Sequence, residues 1–493
     1  MTEISFDGLA ESINGDIARA GDEGYHEGRM VWNGRFDRHP DVIVRCRSVG
    51  DVKAAVDFAR TRGLSLAVKA GGHSNAGHST IEGGLLIDLS SMKGVSIDPE
   101  NRTARVEPGV KWGEFNPIAE RHGLATPGGT ISTVGVSGFT LGGGSGYLSR
   151  KHGMAIDNLL SVEVVAADGR IIRAGDDEHP DLFWAIRGGG GNFGIVTAFE
   201  FRLHDVGPEV LAGQIMHRLE DAPGLLRSFR EIMANAPDEL QCYPFFLRIP
   251  PIEAFPEELH GQVVLDFVVF HTDAGSDGET ALRPLVDLGK PVFAAVGPQS
   301  YSSVMEAFDA GLPAGQRYGS RAQYLTGITD GVIDTIMTHA ADMVGPFTVA
   351  YLDPAGGALG RVDPCATAFP HRDATYGFHI ISGWMESVQD EEVSAWADAF
   401  HHAMSLHATG GVYVNLLGPD EEDRVRAAYG DNYQRLVELK TLWDPDNLFR
   451  STYNVEPSGF GPRFNSPATW PTGPEMISRR KPWRRPPRRW PKA

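Results

Sequence analysis

Cysteine is scarce in this chain, with three residues among 493. Cys46, Cys242 and Cys365 lie far apart and form no C-x-x-C or similar metal-ligand spacing. We therefore expect three free thiols and no metal site.

Long apolar runs are also missing. No segment approaches the roughly twenty apolar residues that a membrane-spanning helix requires. Residues 1–16 lack the basic start and the apolar run of a secretion signal. These absences predict a cytoplasmic protein with no membrane partner.

Basic residues are few outside the C-terminal end. Residues 458–493 carry nine Lys or Arg and one Glu, which leaves 36 basic against 63 acidic side chains in residues 1–457. Nucleic acids bind clustered positive charge, so the acidic body argues against a nucleic-acid partner. The prolines and dense like charges of 458–493 predict a disordered basic tail. We expect this tail to be an extension without function. Contact of the tail with nucleic acid, with anionic lipid or with the protein's own acidic surface stays open.

Glycine, by contrast, is abundant and falls into three clusters, at residues 70–79, 127–146 and 187–194. Such runs cost chain entropy, so three of them indicate backbone that lies close to a large polar ligand such as a pyrophosphate-containing nucleotide. The first cluster also places His73 directly after the apolar run 66–68. Taken one at a time, each loop fits a tight connection between strands equally well.

Cap signals and hydrophobic periodicity predict a mixed α+β chain, and its length predicts two lobes. Asp168-Gly169 is its strongest hairpin signal. The predicted helices cover 48–62, 111–122, 222–236, 331–343 and 391–406, and the predicted strands cover 66–68, 85–89, 95–97, 103–106, 160–167, 170–173, 195–203, 263–270, 347–352 and 377–384.

Gly189–Gly194 satisfies the G-x-G-x-x-G pattern of dinucleotide-binding Rossmann folds. That motif needs a strand before it and a helix after it, so that the helix N-terminus faces the pyrophosphate. Here residues 181–187 have helical character and residues 195–203 have strand character, which is the reverse order. The sequence therefore excludes a Rossmann site at this position.

The three clusters, in this order and spacing, resemble the FAD-binding domain of the vanillyl-alcohol oxidase and p-cresol methylhydroxylase (PCMH-type) flavoproteins. The segment Trp443–Pro457 resembles the closing motif of the berberine bridge enzyme-like group, whose mono-covalent 6-hydroxynicotine oxidase type is nearest in pattern. The resemblance covers roughly residues 25–210 and 410–457. It implies a two-lobed α+β fold with a PCMH-type FAD-binding domain (1–207), a substrate domain with a large antiparallel sheet backed by helices (208–425), a C-terminal return to the first domain (426–457) and the basic tail (458–493).

The resemblance implies FAD joined by a single covalent 8α-histidyl bond to His73. Many relatives add a second bond through a cysteine, but Ile131 stands at that position and cannot form it. The other implied FAD contacts are Gly71, Gly72, Ser74, Asn75, Gly77 and Ser79 for the pyrophosphate, Gly135, Gly138, Gly142, Gly143, Gly144 and Gly146 for the ring and ribityl chain, Ile195 and Val196 for the adenine side, and Tyr453 and Asn454 from the closing motif.

The expected catalytic residues are Tyr413 and Asn415. Relatives often carry Tyr-x-Asn-Tyr-x-Asp in a strand that faces the flavin, and in this chain Leu416 replaces the second tyrosine. A tyrosine acts as a base only if its neighbours lower its pKa, and asparagine cannot act as one at ordinary pH. A structural Tyr413, with its hydroxyl bonded to backbone, stays open as the alternative.

The activity implied by the resemblance is that of an FAD-dependent oxidase. Hydride passes from a substrate C–H of an amine, an alcohol or a secondary-metabolite scaffold to flavin N5, and dioxygen then reoxidises the flavin and yields hydrogen peroxide. A dehydrogenase with another electron acceptor and a catalytically silent flavin-binding protein stay open, as does the oligomeric state.

Overall fold

The computed structural model describes residues 6–251, 253 and 255–459. The predicted basic tail, 458–493, lies outside these residues except for Ser458 and Gly459. The strands are β1 (Asp16–Ala18), β2 (Val42–Arg45), β3 (Leu66–Lys69), β4 (Leu85–Asp88), β5 (Val95–Asp98), β6 (Thr103–Val106), β7 (Leu124–Ala125), β8 (Leu159–Val165), β9 (Ile171–Gly175), β10 (Ile195–Arg202), β11 (His204–Asp205), β12 (Val210–Arg218), β13 (Leu240–Arg248), β14 (Val263–His271), β15 (Phe293–Gln299), β16 (Arg317–Leu325), β17 (Val349–Pro354) and β18 (Tyr376–Trp384). The helices are α1 (Asp7–Ala10), α2 (Tyr25–Arg29), α3 (Val49–Arg62), α4 (Trp112–Glu120), α5 (Val136–Leu141), α6 (Ser149–His152), α7 (Pro180–Ile186), α8 (Ala222–Ala234), α9 (Ser276–Val286), α10 (Tyr301–Glu306), α11 (Asp330–Ala340), α12 (Gly357–Gly360), α13 (Asp390–Met404), α14 (Val425–Tyr429) and α15 (Tyr433–Trp443).

A small sheet with the strand order β1-β2-β4-β3 supports the first glycine cluster. Helix α3 packs on it and begins with the predicted capping box, in which Asp51 N donates to Ser48 Oγ and Ser48 N donates to Asp51 Oδ2. The helix ends at Gly63, whose φ is +64°. Strand β3 runs parallel to β4 and leads directly into the loop that carries His73.

A five-stranded antiparallel sheet, β5-β6-β10-β8-β9, supports the other two clusters. Strands β8 and β9 pair across the predicted Asp168-Gly169 turn, where Gly169 has a φ of +82°. Helix α7 precedes the third cluster and β10 follows it. This order confirms that the G-x-G-x-x-G match is not a Rossmann site.

The second domain is a seven-stranded antiparallel sheet with the order β15-β12-β14-β13-β17-β18-β16. Alternate residues of β14, such as Leu265 and Phe267, belong to one buried apolar cluster with Phe229 of α8, Ile333 of α11 and Phe400 of α13. The intervening residues face away from these helices, because successive strand side chains point to opposite faces. The α+β fold with two domains is as predicted, while the exact domain boundaries stay predictions.

Most predicted elements are present with shifted ends. The helix expected over 111–122 covers Trp112–Glu120, and the strand expected over 347–352 is Val349–Pro354. Element ends fray, and flanking residues carry little periodicity signal. All three cysteines are free thiols, as expected. No helix in the described part of the chain combines the length and apolar character needed to cross a membrane.

A buried ion pair anchors the C-terminal segment to the first domain. Lys440 Nζ lies 2.7 Å from Asp444 Oδ2, and neither side chain is exposed. Lys440 also donates to the carbonyl oxygens of Asn192 and Phe449, each at 2.8 Å. Asp444 in turn accepts from the backbone N–H of Phe449 at 2.9 Å. The closing motif is therefore tied to the third glycine cluster.

We expect Asp444→Ala to lower the free energy of unfolding by about 3–5 kcal/mol, because it leaves the Lys440 ammonium buried without its counter-charge. Asp16→Ala is the matched control, since Asp16 pairs with Arg47 on the surface and both side chains are more than half exposed. The control should cost less than about 1 kcal/mol in the same urea titration. Equal shifts of the two unfolding midpoints would contradict the anchoring role of the buried pair.

Candidate functional site

A cavity of about 1160 Å³ lies between the glycine-rich loops and the second face of the seven-stranded sheet. Pockets for one small molecule usually occupy roughly 300–1,000 Å³. This cavity therefore has room for a cofactor and a substrate together. Its walls are contributed by residues 66–79, 129–145, 190–196, 413–416 and 449–453 and by strands of the sheet.

Most of the residues expected to contact FAD line this cavity. The residues on the wall are His73, Gly71, Gly72, Ser74, Asn75, Ser79, Gly135, Gly138, Gly142, Ile195, Val196 and Tyr453. Five others lie behind it, namely Gly77, Gly143, Gly144, Gly146 and Asn454.

The four glycines behind the wall serve the packing of the loops on the protein itself. A side chain there would meet Phe36 at Gly77, Met154 at Gly143, Ala155 at Gly144 and the carbonyl oxygen of Gly128 at Gly146, all within 2.7 Å. The side-chain oxygen of Asn454 is buried and has no hydrogen-bond partner among the described residues. The sequence alone does not separate glycines that face a ligand from glycines that face other loops.

The first two clusters touch through their backbones. A Cβ built on Gly71 would lie 2.6 Å from Cα of Gly135, and one built on Gly135 would lie 2.7 Å from Cα of Gly71. Neither position can accept a side chain without separating the loops. Gly138, in contrast, is exposed to the cavity, and its Cβ would meet no protein atom within 4 Å.

His73 presents a neutral imidazole to the cavity. Its ring stacks on Trp32 with centroids 4.2 Å apart, and Trp32 stacks on Tyr318 at 3.9 Å. Its Nε2 lies 3.2 Å from Thr133 Oγ1. Burial, together with the positive charge of Lys111, lowers the pKa of His73 to about 3. The imidazole is therefore uncharged at neutral pH, which is the nucleophilic form.

Tyr429 is a cavity residue that the sequence reasoning missed. Its hydroxyl is buried and has no hydrogen-bond partner in the described part of the chain. Gly190 of the third cluster lies beside it, since a Cβ built there would be 3.6 Å from that hydroxyl. An unsatisfied buried hydroxyl is costly to the fold. Nothing in the pattern of helix α14 distinguishes this tyrosine from a core residue.

Tyr413 and Asn415 lie together on the cavity wall, but not on a strand. The expected strand is wrong, because residues 414–416 form a 3₁₀ turn closed by Leu416 N donating to the carbonyl oxygen of Tyr413. The Tyr413 hydroxyl accepts from Gly144 N at 2.8 Å and from Asn415 Nδ2 at 3.0 Å. Burial raises the pKa of Tyr413 to about 12. The environment thus does not make this phenol a base, and its bond to backbone matches the structural alternative.

Asp353 of β17 is a second residue that the sequence reasoning missed. Its Oδ2 lies 3.5 Å from Oγ of the cavity residue Ser145 and 3.9 Å from Nε2 of the buried His379. Burial raises the pKa of this carboxyl to about 7. A carboxyl that titrates near neutrality beside a cavity is suited to accept a proton. In the sequence, Asp353 comes directly after the strand predicted over 347–352, which gave no signal that it reaches the cavity.

The sheet contributes an apolar and aromatic wall. Phe245 stacks on Tyr351 at 4.7 Å and on Phe308 at 5.6 Å, and all three line the cavity. Among the residues that the structure describes, no group of three His, Cys, Asp or Glu side chains is placed to hold a metal ion.

Two protein-family models match the chain, a FAD binding domain over residues 40–175 and the berberine and berberine-like family over 412–456. The uncharacterized FAD-linked oxidoreductase YgaK of Bacillus subtilis is 31% identical over 459 residues, which cover 90% of this chain and 97% of YgaK. (R)-6-hydroxynicotine oxidase of Paenarthrobacter nicotinovorans is 30% identical over 468 residues, with coverages of 91% and 98%.

Solved structures agree with these relatives. The crystal structure of 6-hydroxy-D-nicotine oxidase from Arthrobacter nicotinovorans has a TM-score of 0.81 and 28% identity, and the match covers 90% of this chain and 98% of that one. The family expected from the glycine clusters and the closing motif is confirmed. The chain belongs to the berberine bridge enzyme-like family of FAD-linked oxidoreductases.

Proposed function

We propose that the protein is an FAD-dependent oxidase that carries its flavin on a single covalent bond to His73. The carrying observation is the neutral His73 imidazole, which lies on a cavity with a glycine-rich wall on one side and an apolar, aromatic wall on the other. The first wall suits a nucleotide cofactor, and the second suits a small organic substrate. The substrate classes that we propose are amines, alcohols and secondary-metabolite scaffolds.

The cavity fits FAD in two respects. It has the volume for a dinucleotide, and Gly138 leaves open space against the wall. When bound, FAD supplies the hydride acceptor at N5, and its reduced form passes the electron pair to dioxygen to yield hydrogen peroxide. The backbone around Gly71, Gly135 and Tyr453 would enclose the cofactor.

Residues of the protein itself accept the proton and hold the backbone of the site in place. Asp353 accepts the proton of the substrate hydroxyl or amine through the Ser145 hydroxyl, while the hydride leaves the adjacent carbon. Tyr413 and Asn415 keep the Gly144 backbone in place. Leu416 occupies the position where relatives carry a second tyrosine, and Asp353 takes over the proton transfer that this change removes.

His73→Ala should abolish retention of flavin in acid-precipitated protein, because no other residue would form the covalent bond. The wild-type pellet should be yellow and fluorescent, while the flavin of the variant stays in the supernatant. His78→Ala is the matched control, since His78 is a second histidine on the cavity wall with a pKa lowered by burial to about 4. A colourless wild-type pellet, or a yellow His73→Ala pellet, would refute the bond at His73.

Gly138→Ala should weaken FAD binding about tenfold without destabilising the apoprotein. The new methyl group would project into the cavity, where overpacking against a ligand costs on the order of 1–3 kcal/mol, and it would favour helix α5. Binding is measured by titrating FAD into apoprotein in a His73→Ala background. Gly224→Ala, at an exposed and equally open position of α8, should leave the affinity unchanged. Unchanged affinity in Gly138→Ala would place the cofactor elsewhere.

Asp353→Asn should slow anaerobic flavin bleaching by a substrate about 10²- to 10⁴-fold. With the carboxyl pKa near 7, the wild-type rate should fall as pH drops below 7, because the protonated acid cannot accept a proton, and level off above it. The Asp353→Asn variant should lose this pH dependence of the bleaching rate, whereas Tyr413→Phe should keep it. A panel of benzylic alcohols and amines serves as substrates. If Asp353→Asn keeps the pH dependence of the bleaching rate, the base is another group.

A further inference from the structure

One polar side chain on the sheet wall of the cavity has a free hydrogen-bonding atom at the end remote from Asp353. Gln214 of β12 lines the cavity and is partly exposed to it. Its Nε2 donates to Asp266 Oδ2 at 2.8 Å, and within the described residues no donor pairs with its Oε1. The guanidinium of Arg248 on the same wall is already bonded to the carbonyl oxygens of Gly261 and Met343.

Asp266 lies beneath this wall and has no part in the proton transfer proposed above. It sits on β14 between its cross-strand neighbours Met216 and Phe245, both of which line the cavity. The residue is fully buried, and its Oδ1 has no partner among the described residues. Burial raises the pKa of the carboxyl to about 7, while the bonds from Gln214 and from the backbone of Ile215 oppose that rise.

A buried carboxyl with an unpaired oxygen is costly to the fold, and an apolar residue would pack there without that cost. The polar contact that offsets part of the cost is the amide of Gln214. Because the N–H side of this amide is held by Asp266, the carbonyl side is left toward the cavity. A mainly apolar wall thus presents an oriented acceptor at Gln214.

We propose that Gln214 recognises an O–H or N–H donor on the far end of the substrate, and that Asp266 is the positioning residue that orients its amide. This inference rests on the proposed oxidase function and specifies its substrate class. The substrate is an elongated, mainly apolar or aromatic molecule with one donor at the end remote from the oxidised carbon.

The sheet sets the length of that molecule. Gln214 lies on β12, whereas Tyr351 and Asp353 lie on β17, and β14 and β13 separate the two strands. Neighbouring strands are about 4.8 Å apart, so the two ends are roughly 14 Å from each other along the sheet. The stacked rings of Phe245 and Tyr351 lie along this path. A single small ring would not span it, and a two-ring scaffold would.

The test compares two probes, 4-(4-hydroxyphenyl)benzyl alcohol and its phenolic methyl ether, which keeps the oxygen but lacks the terminal donor. Isothermal titration calorimetry on the protein as purified gives both dissociation constants. Wild type should bind the phenol about tenfold more tightly than the ether, the effect of one hydrogen bond to the acceptor on the cavity wall. Gln214→Met, which is similar in size and apolar, should reduce this ratio to about one. Met216→Leu, the neighbouring apolar position on the same wall, should keep it.

Asp266→Asn provides a second variant that retains the shape of the site. An asparagine can pair with either side of the Gln214 amide, so the ratio should fall, while the thermal midpoint should stay or rise because the buried charge is removed. If Asp266→Asn has a lower thermal midpoint but an unchanged affinity ratio for the two probes, the role of Asp266 is structural and the positioning role is overturned. The proposal for Gln214 fails if Gln214→Met keeps the wild-type ratio, if wild type does not discriminate, or if neither probe binds.

Failure of the Gln214 recognition role can be distinguished from failure of the proposed oxidase function. The titrations are run without dioxygen, so that the probe is not turned over while its binding is measured. Protein that carries flavin and produces peroxide with a substrate, but keeps its ratio in Gln214→Met, refutes only the recognition role. Protein that lacks flavin yet loses its ratio in Gln214→Met refutes only the oxidase.

Discussion

The contact between the backbones of Gly71 and Gly135 is the constraint on which the site depends. It holds the loop that follows β3 against the loop that precedes α5, at a separation that no side chain permits. His73, two residues beyond Gly71, is thereby directed into the cavity, with its ring supported by Trp32. The closing motif completes the enclosure through Lys440, which reaches across to the third cluster.

The seven-stranded sheet contributes the apolar and aromatic wall of the cavity. Its helix-covered face is a conventional apolar core, whereas its other face carries aromatic side chains and two acids, Asp266 and Asp353, both raised in pKa by burial. Each acid lies behind a polar residue of the cavity wall, Gln214 in one case and Ser145 in the other. The two acids therefore lie at opposite ends of one face of the sheet. We assign substrate recognition to the end at Gln214 and proton transfer to the end at Asp353.

The sequence predicted the features that depend on local pattern. The capping box of α3, the turn at Gly169 and the helix-to-strand order around the third cluster are all present. The site was predicted less completely, because its geometry depends on contacts between distant segments. Asp353 meets Ser145 across 208 positions, and Tyr429 meets Gly190 only in the folded chain. Residues 414–416 form a 3₁₀ turn where the resemblance implies a strand, and the Tyr413 hydroxyl bonds to the backbone of the distant Gly144.

We propose that a flavin ring is bonded to His73 and lies between the glycine-rich wall and the aromatic face of the sheet. The most direct measurement is a crystal structure of the protein purified from cells supplied with riboflavin. We expect continuous electron density from the His73 ring to a tricyclic system that lies beside Gly138 and faces Tyr351. A bare His73 ring, with the flavin bound elsewhere, would contradict it.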